Sequence, residues 1–422
     1  MKVATFDATK YEAMIAVFEG MRHHRQAHPT TRCDELYYEL LSRYFRRVLT
    51  ASQDGQPAVA LCGMVPTEVL YAMDIAPLLL ESSGTMLMVS LKSYEEVFAA
   101  AKEFGLSPEV CSVHRAIAAQ FVRGWAPRLD AVVWSGAACD NCAKTGDVVQ
   151  ALYGMPSFFL DRPYRYGERE VEYTVREIEE LVAFLEEHTG HRMDLDRLRE
   201  SLKLTKQQIA LNREIGEMRR AVPCPISNRR GAQLNYINWL FCGSPEGVEF
   251  FEAVRDELRE AQEKGNIPEE RYRLITVFAP PSHNWKLLDW MEREHGARIV
   301  TCPYSSHWGE WEPDLADPIE ALARKCYADP TLRQLAGPLK EAMVQDTVED
   351  ALAYRAEGAL FWAHIGCRHG CAAIRTVRDA LQERVGIPTL ALDCDFTDPS
   401  FVSNEEMKDK LEGFFDILEE RK

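Results

Sequence analysis

The strongest constraint on the fold is a repeated alternation of short apolar runs with segments of helical periodicity. Ala58-Val59-Ala60-Leu61-Cys62 is followed by Pro66 and a helical stretch from Thr67 to Met73. Further runs stand at Met86-Leu87-Met88-Val89, Ala131-Val132-Val133-Trp134 and Phe158-Phe159-Leu160. Such runs, joined through helices, read as parallel strands in βαβ units. They predict a first α/β domain over residues 51–165. A second series has strands at Leu274–Phe278, Ile299–Cys302, Gly358–Ala363 and Ile387–Leu392, with helices at Trp285–Glu294 and Ala372–Glu383. It predicts a second α/β domain over 270–422.

Between and before these domains the period is helical. Tyr11, Met14, Ile15, Phe18 and Met21, then Leu40, Leu41, Tyr44, Phe45 and Val48, predict two amphipathic helices forming an N-terminal cover over residues 1–50. Val171, Val175, Ile178, Val182 and Leu185, and later Leu195, Leu198, Leu202, Ile209 and Ile215, predict a helical connector over 166–269. The expected fold class is thus α/β: two Rossmann-like parallel-sheet domains with a helical cover and a helical connector.

The formal charge of -17 repels polyanions, so nucleic acid is not an expected partner. No run approaches the roughly 20 apolar residues of a membrane span, and Met1 to Lys10 lacks the pattern of a secretory signal. A cytoplasmic protein without a membrane segment is expected. Its 12 cysteines should then be reduced, leaving packing, metal binding or catalysis as their roles.

Ligands of open α/β sheets gather beyond the carboxyl ends of the strands. Cys62 ends the run from Ala58, Cys139 and Cys142 follow the run ending at Trp134, and Cys302 ends the run from Ile299. Cys367 and Cys371 follow the strand ending near His364, and Cys111 opens a helix after Ser107-Pro108. A helix N-terminus favours a thiolate, and several thiolates converging beside a positive dipole suit an iron-sulfur centre. Packing competes with that role at every single cysteine. The C-x-x-C at Cys139 and Cys142 also fits half a zinc site or a thiol redox pair, but no second C-x-x-C accompanies it.

Four stretches, in this order, resemble the 2-hydroxyacyl-CoA dehydratase and benzoyl-CoA reductase family over about residues 57 to 420. They are Cys62-Gly63-Met64-Val65-Pro66-Thr67-Glu68 running on to Pro77, the pair Cys139-Asp140, the run His364-Ile365-Gly366-Cys367-Arg368, and Gly386-Ile387-Pro388 leading to Asp393 and Asp395. The resemblance implies a [4Fe-4S] cluster held by Cys111, Cys139 and Cys367, with Cys142 the competitor of Cys139 and with Cys62, Cys302 and Cys371 as further candidates. It implies an acyl-CoA substrate, a second family subunit in a hetero- or homodimer, and a separate ATP-hydrolysing iron-sulfur activator that feeds single electrons. The activity expected is ketyl-radical chemistry on a 2-hydroxyacyl-CoA thioester, with Glu81 as the catalytic acidic residue.

One departure from the pattern bears on the activity. Where the substrate-binding dehydratase subunit carries a serine, three residues before the motif proline, this chain has Gly63. Two alternatives follow: a subunit of a benzoyl-CoA reductase-type enzyme, and a reductase of small molecules built on a double-cubane [8Fe-9S] cluster that recruits Cys62 and Cys302. The turn Asn228-Arg229-Arg230-Gly231 offers either a contact for CoA phosphates or a solvated basic turn.

Overall fold

A computed structural model describes residues 7–28 and 31–422. The chain divides into two compact units, each with one four-stranded parallel sheet. The first unit takes residues up to Ile209 together with Tyr236–Ala253 and Glu310–Ala328; the second takes Ala210–Asn235, Val254–Gly309 and Asp329–Lys422.

The first sheet contains β1 (Ala58–Cys62), β2 (Ala76–Leu79), β3 (Ala131–Trp134) and β4 (Ser157–Phe159), in the order β2-β1-β3-β4. The second contains β5 (Tyr272–Val277), β6 (Ala297–Thr301), β7 (Gly358–His364) and β8 (Thr389–Cys394), in the order β6-β5-β7-β8. Each unit therefore repeats one plan: second strand, first, third, fourth. The inner strands β1, β5 and β7 are buried along their whole length, whereas β4 and β8 at the edges are partly exposed. Continuous apolar runs are what a doubly covered parallel strand requires.

In the first unit the helices Thr9–Ala27 and Arg32–Thr50 bury Tyr11, Phe18, Leu40 and Phe45, with the Tyr11 and Phe45 rings in an edge contact at 6.1 Å. The Tyr44 hydroxyl accepts from the backbone N–H of Leu79 at 3.0 Å, fixing the second helix to the end of β2. In the second unit Trp362, Phe361 and Leu360 of β7 fill the centre of the core.

The run Met86–Val89 is not a strand: it lies inside the helix Leu80–Leu91, and β2 comes earlier, at Ala76–Leu79. That helix buries Leu80, Met86, Leu87 and Met88 together with Ser82, Ser83, Gly84 and Thr85. A helix buried on all sides loses its polar face, so four apolar residues in a row carry no helical signature. A Cβ at Gly84 would stand 3.1 Å from the backbone N of Ile117, which shows how closely the helix Ser112–Arg123 packs here. Among the described residues, no helix is long and apolar enough to cross a membrane.

Candidate functional site

The carboxyl ends of β1 and β3 lie side by side, with Ser135 N donating to Cys62 O at 2.9 Å. The chain leaves β1 through Gly63, whose φ is +90°. A Cβ there would stand 2.2 Å from the Ser135 carbonyl oxygen. No side chain fits that backbone. The turn instead aims the Gly63 N–H at Glu81 Oε1, 2.7 Å away.

Glu81 sits in the first turn of the helix Leu80–Leu91, where the helix dipole favours negative charge. Burial nevertheless pushes its carboxyl above the usual range, the Gly63 N–H opposing. Its Oε2 is enclosed and has no hydrogen-bond partner among the described residues.

Against Glu81 lies the start of the helix Asp140–Tyr153, which packs so tightly on β3 that a Cβ at Gly146 would meet the Trp134 ring at 2.2 Å. Cys139 is the N-cap of this helix, its sulfur accepting from Asn141 N at 3.4 Å and standing 3.9 Å from Asp140 Oδ1. Cys142, one turn on, points inward: its sulfur is 3.6 Å from Glu81 Oε1 and 3.9 Å from His114 Nε2. Cys62, Cys142 and His114 are 0%, 2% and 5% exposed, and their donor atoms all lie within 4.8 Å of one another. A hydrogen bond from Cys142 favours the Cys62 thiolate, but burial and the Glu81 carboxylate push the thiol up to about 12.

His114 has a defined tautomer. Its Nδ1 is 2.7 Å from Thr145 Oγ1, and the Thr145 hydroxyl donates its one proton to Asn141 O at 2.9 Å. Thr145 must therefore accept from His114 Nδ1–H, which leaves the Nε2 lone pair facing Cys142. His114 lies on the helix Ser112–Arg123, whose N-cap is Cys111. Ser112 Oγ, next to Cys111, is buried and has no hydrogen-bond partner among the described residues.

In the second unit the equivalent strand, β7, leads to Cys367, the N-cap of the helix Arg368–Arg384, whose sulfur accepts from Gly370 N at 3.3 Å. Cys371 instead donates to His364 O at 3.3 Å, and Cys302, after β6, donates to Phe278 O at 3.5 Å. Cys394, at the end of β8, stands 3.4 Å from His364 Nδ1 inside the core.

Two of the cysteines, Cys139 and Cys367, each accept a backbone N–H at the start of a helix, a contact that favours a thiolate, although Cys139 Sγ also faces the Asp140 carboxylate and its thiol is pushed up by the Cys142 hydrogen bond and by burial. Cys142, Cys302 and Cys371 accept no such N–H and are placed as donors to oxygen or imidazole. The unpartnered Glu81 Oε2 and Ser112 Oγ, each of a kind that costs about 1–3 kcal/mol when buried, also fit a site completed by a bound group.

The basic turn is not simply solvated, because both of its arginines are paired within the chain. Arg229 pairs with Asp289, and Arg230, with its side chain 4% exposed, is held by Glu257 and Gln233. These arginines tie the first turn of the helix Asn228–Phe241 to Asp289 and Glu257.

His114, Thr145 and His307 escaped sequence reasoning. The spacing Cys111-Ser112-Val113-His114 is the one signal that marks the first of them, since residues three apart share a helix face. His307 donates from Nδ1 to Asp350 Oδ1 at 2.8 Å and has Nε2 3.3 Å from Asp346 Oδ1. Asp346 is already engaged by Arg333 and Gln334, so this group reads as a closed charge network of the second unit.

The family model of the 2-hydroxyglutaryl-CoA dehydratase D-component matches residues 62–418. One of the benzoyl-CoA reductase subunits of Thauera aromatica is 24% identical over 91% of this chain and 94% of its own length. The (R)-2-hydroxyisocaproyl-CoA dehydratase alpha subunit of Clostridioides difficile is 19% identical over 91% and 95%, and the (R)-phenyllactyl-CoA dehydratase alpha subunit of Clostridium sporogenes 21% over 76% and 80%.

Proposed function

Because the chain belongs to the family of the 2-hydroxyglutaryl-CoA dehydratase D-component, we propose that it is the iron-sulfur subunit of an enzyme delivering single electrons to an acyl-CoA thioester. The names of its relatives, subunits that act on CoA thioesters, support this reading. The observation that carries it is that Cys139 and Cys367, in two units of like sheet plan, each cap a helix and accept a backbone N–H. With Cys111, itself an N-cap, they are the proposed ligands of a [4Fe-4S] cluster. When bound, the cluster supplies single electrons and a Lewis-acidic iron with an open position for a substrate oxygen. A second family subunit and an ATP-hydrolysing activator are its proposed partners.

The residues of this chain define the surroundings. Gly63 N–H holds Glu81 Oε1, leaving Oε2 without a partner to exchange a proton with the acyl group. A carboxyl pushed up by burial keeps its proton closer to neutral pH, which suits a donor to a substrate that has taken up an electron. Gly63 provides no hydroxyl to assist a departing 2-hydroxyl group, and its backbone cannot accept a serine. Net reduction of the acyl-CoA, as in the benzoyl-CoA reductase branch, is therefore favoured over dehydration on this subunit. A double cubane would need Cys62 and Cys302 as thiolates; the Phe278 carbonyl beside Cys302 Sγ opposes that.

The test is iron and acid-labile sulfide per chain, with EPR, on protein purified without oxygen. About four of each supports the reading, and none sinks it. Activator-dependent turnover of an aromatic acyl-CoA against a 2-hydroxyacyl-CoA then separates the two branches.

A further inference from the structure

A cubane on Cys111, Cys139 and Cys367 leaves Cys62 and Cys142 without a ligand role, yet both are buried, with their sulfur atoms gathered beside the His114 imidazole. We propose that Cys62, Cys142 and His114 form a separate mononuclear site for a divalent cation of zinc's class, three protein donors with the fourth position left to water and Glu81 outside the coordination sphere.

The geometry fits that class. Zinc takes thiolate sulfur at about 2.3 Å and imidazole nitrogen at about 2.0–2.1 Å in a tetrahedron, which sets sulfur and nitrogen about 3.6 Å apart. Cys142 Sγ and His114 Nε2 are 3.9 Å apart, and the three donor atoms lie within 4.8 Å of one another. Closing onto an ion needs side-chain adjustments of up to about 1 Å.

The support behind the histidine fits as well. A metal-bound histidine usually donates its other N–H to an acceptor that fixes the ring. Thr145 does this here, its own hydroxyl committed to Asn141 O, so the bare Nε2 already faces the site. The donor set explains why the C-x-x-C has no matching partner in the sequence: one half is Cys142, and the other half comes from the end of β1 and from a neighbouring helix. The cation displaces one proton from each thiol, so binding releases protons to solvent. In charge terms, one dication balances the two thiolates, and the buried neutral imidazole adds none.

His307 with Asp346 and Glu349 is the other such group, and it carries no site because Arg333 already neutralises Asp346.

The experiment is elemental analysis by mass spectrometry on the anaerobically purified full chain, followed by cobalt substitution of zinc-depleted protein. The expected result is one zinc per chain beyond the cluster iron, and a thiolate-to-cobalt absorption band. His114→Ala and Cys142→Ser should each lose the zinc while keeping the iron and its EPR signal. Thr145→Val, which keeps the ring and removes only its acceptor, should weaken zinc in chelator competition by about 10- to 100-fold. Absence of zinc from the wild type, unchanged zinc in His114→Ala, or about eight irons with Cys62 among their ligands overturns the proposal. Zinc present with no iron at all sustains this site and overturns the cluster reading instead.

Discussion

Gly63 and Glu81 are joined by one short hydrogen bond, backbone N–H to carboxylate at 2.7 Å, across the mouth of the first sheet. The bond exists because Gly63 takes a φ of +90°, turning its N–H toward the helix that begins at Leu80. A side chain at position 63 and this hydrogen bond exclude each other.

Gly63→Ser should therefore not create a dehydratase. Its Cβ would meet Ser135 O at 2.2 Å, and the left-handed backbone adds strain, so a loss of about 2 kcal/mol or more is expected. Urea denaturation measures it; a stable variant that eliminates water from a 2-hydroxyacyl-CoA defeats the branch assignment.

Glu81→Gln removes the exchangeable proton but keeps an acceptor for Gly63 N–H. Turnover should fall by about 10²- to 10⁴-fold with iron content unchanged. In the wild type the titration of Glu81 should appear as a pH limb displaced upward from the ordinary carboxylate range, and the variant should lose it.

Single serine replacements test the division of the thiols. Cys139→Ser and Cys367→Ser should lose the EPR signal and most of the iron, whereas Cys302→Ser and Cys371→Ser should retain both. Equal loss in all four would mean that the hydrogen-bond pattern does not select the ligands.

Glu68, the glutamate of the opening motif, meets a thiol of a different part of the first unit, Cys242, which donates to its Oε1 at 3.5 Å. It is fully buried in the first unit, 3.1 Å from Lys325 Nζ, accepting also from Thr205. Lys325→Met leaves a buried carboxylate without its cation and should cost about 3–5 kcal/mol, while iron binding in the folded fraction stays unchanged. The double change Glu68→Met with Lys325→Met should recover much of that loss.

His307 gives the second unit a pH-dependent element. Burial disfavours its charged form, but Asp350 and Asp346 outweigh this and raise its pKa above the usual histidine value, with Arg333 opposing. A raised folded pKa means the stabilisation is complete below the unfolded value and fades as pH climbs through the folded one. Thermal unfolding of wild type against His307→Gln, from about pH 5.5 to about pH 8.5, should show a gap that narrows toward alkaline pH.

Much of this architecture is legible in the residues, because a doubly covered parallel strand must be apolar throughout, as Ala131–Trp134 is, and its paired valines favour a strand. Met86–Val89 misled because a fully buried helix has no polar stripe to betray its period. The resemblance found in four short stretches is borne out by the family match over residues 62–418. The motif named Cys62, Gly63 and Glu68 together, but their roles diverge with backbone direction: one thiol turns inward, one glycine turns its N–H to Glu81, and one carboxylate turns to Lys325. His114 and Thr145 were invisible because the hydrogen bond that sets a ligand's ring depends on which way two helices face, and a single sequence records only their spacing.

The first unit is assembled from three separated stretches of chain, the last ending at Ala328. During synthesis Glu68 leaves the ribosome roughly 250 residues before Lys325, a wait on the order of tens of seconds at typical elongation rates. Cys62 is translated just before that interval and Cys139 and Cys142 within it, all ahead of the residues that close the unit around them. Cys367, the remaining proposed cluster ligand, follows only after Lys325, so the early thiols wait unligated by the cluster and open to oxidation, and yield of loaded protein in a recombinant host should follow elongation speed and cellular redox state as closely as it follows iron supply.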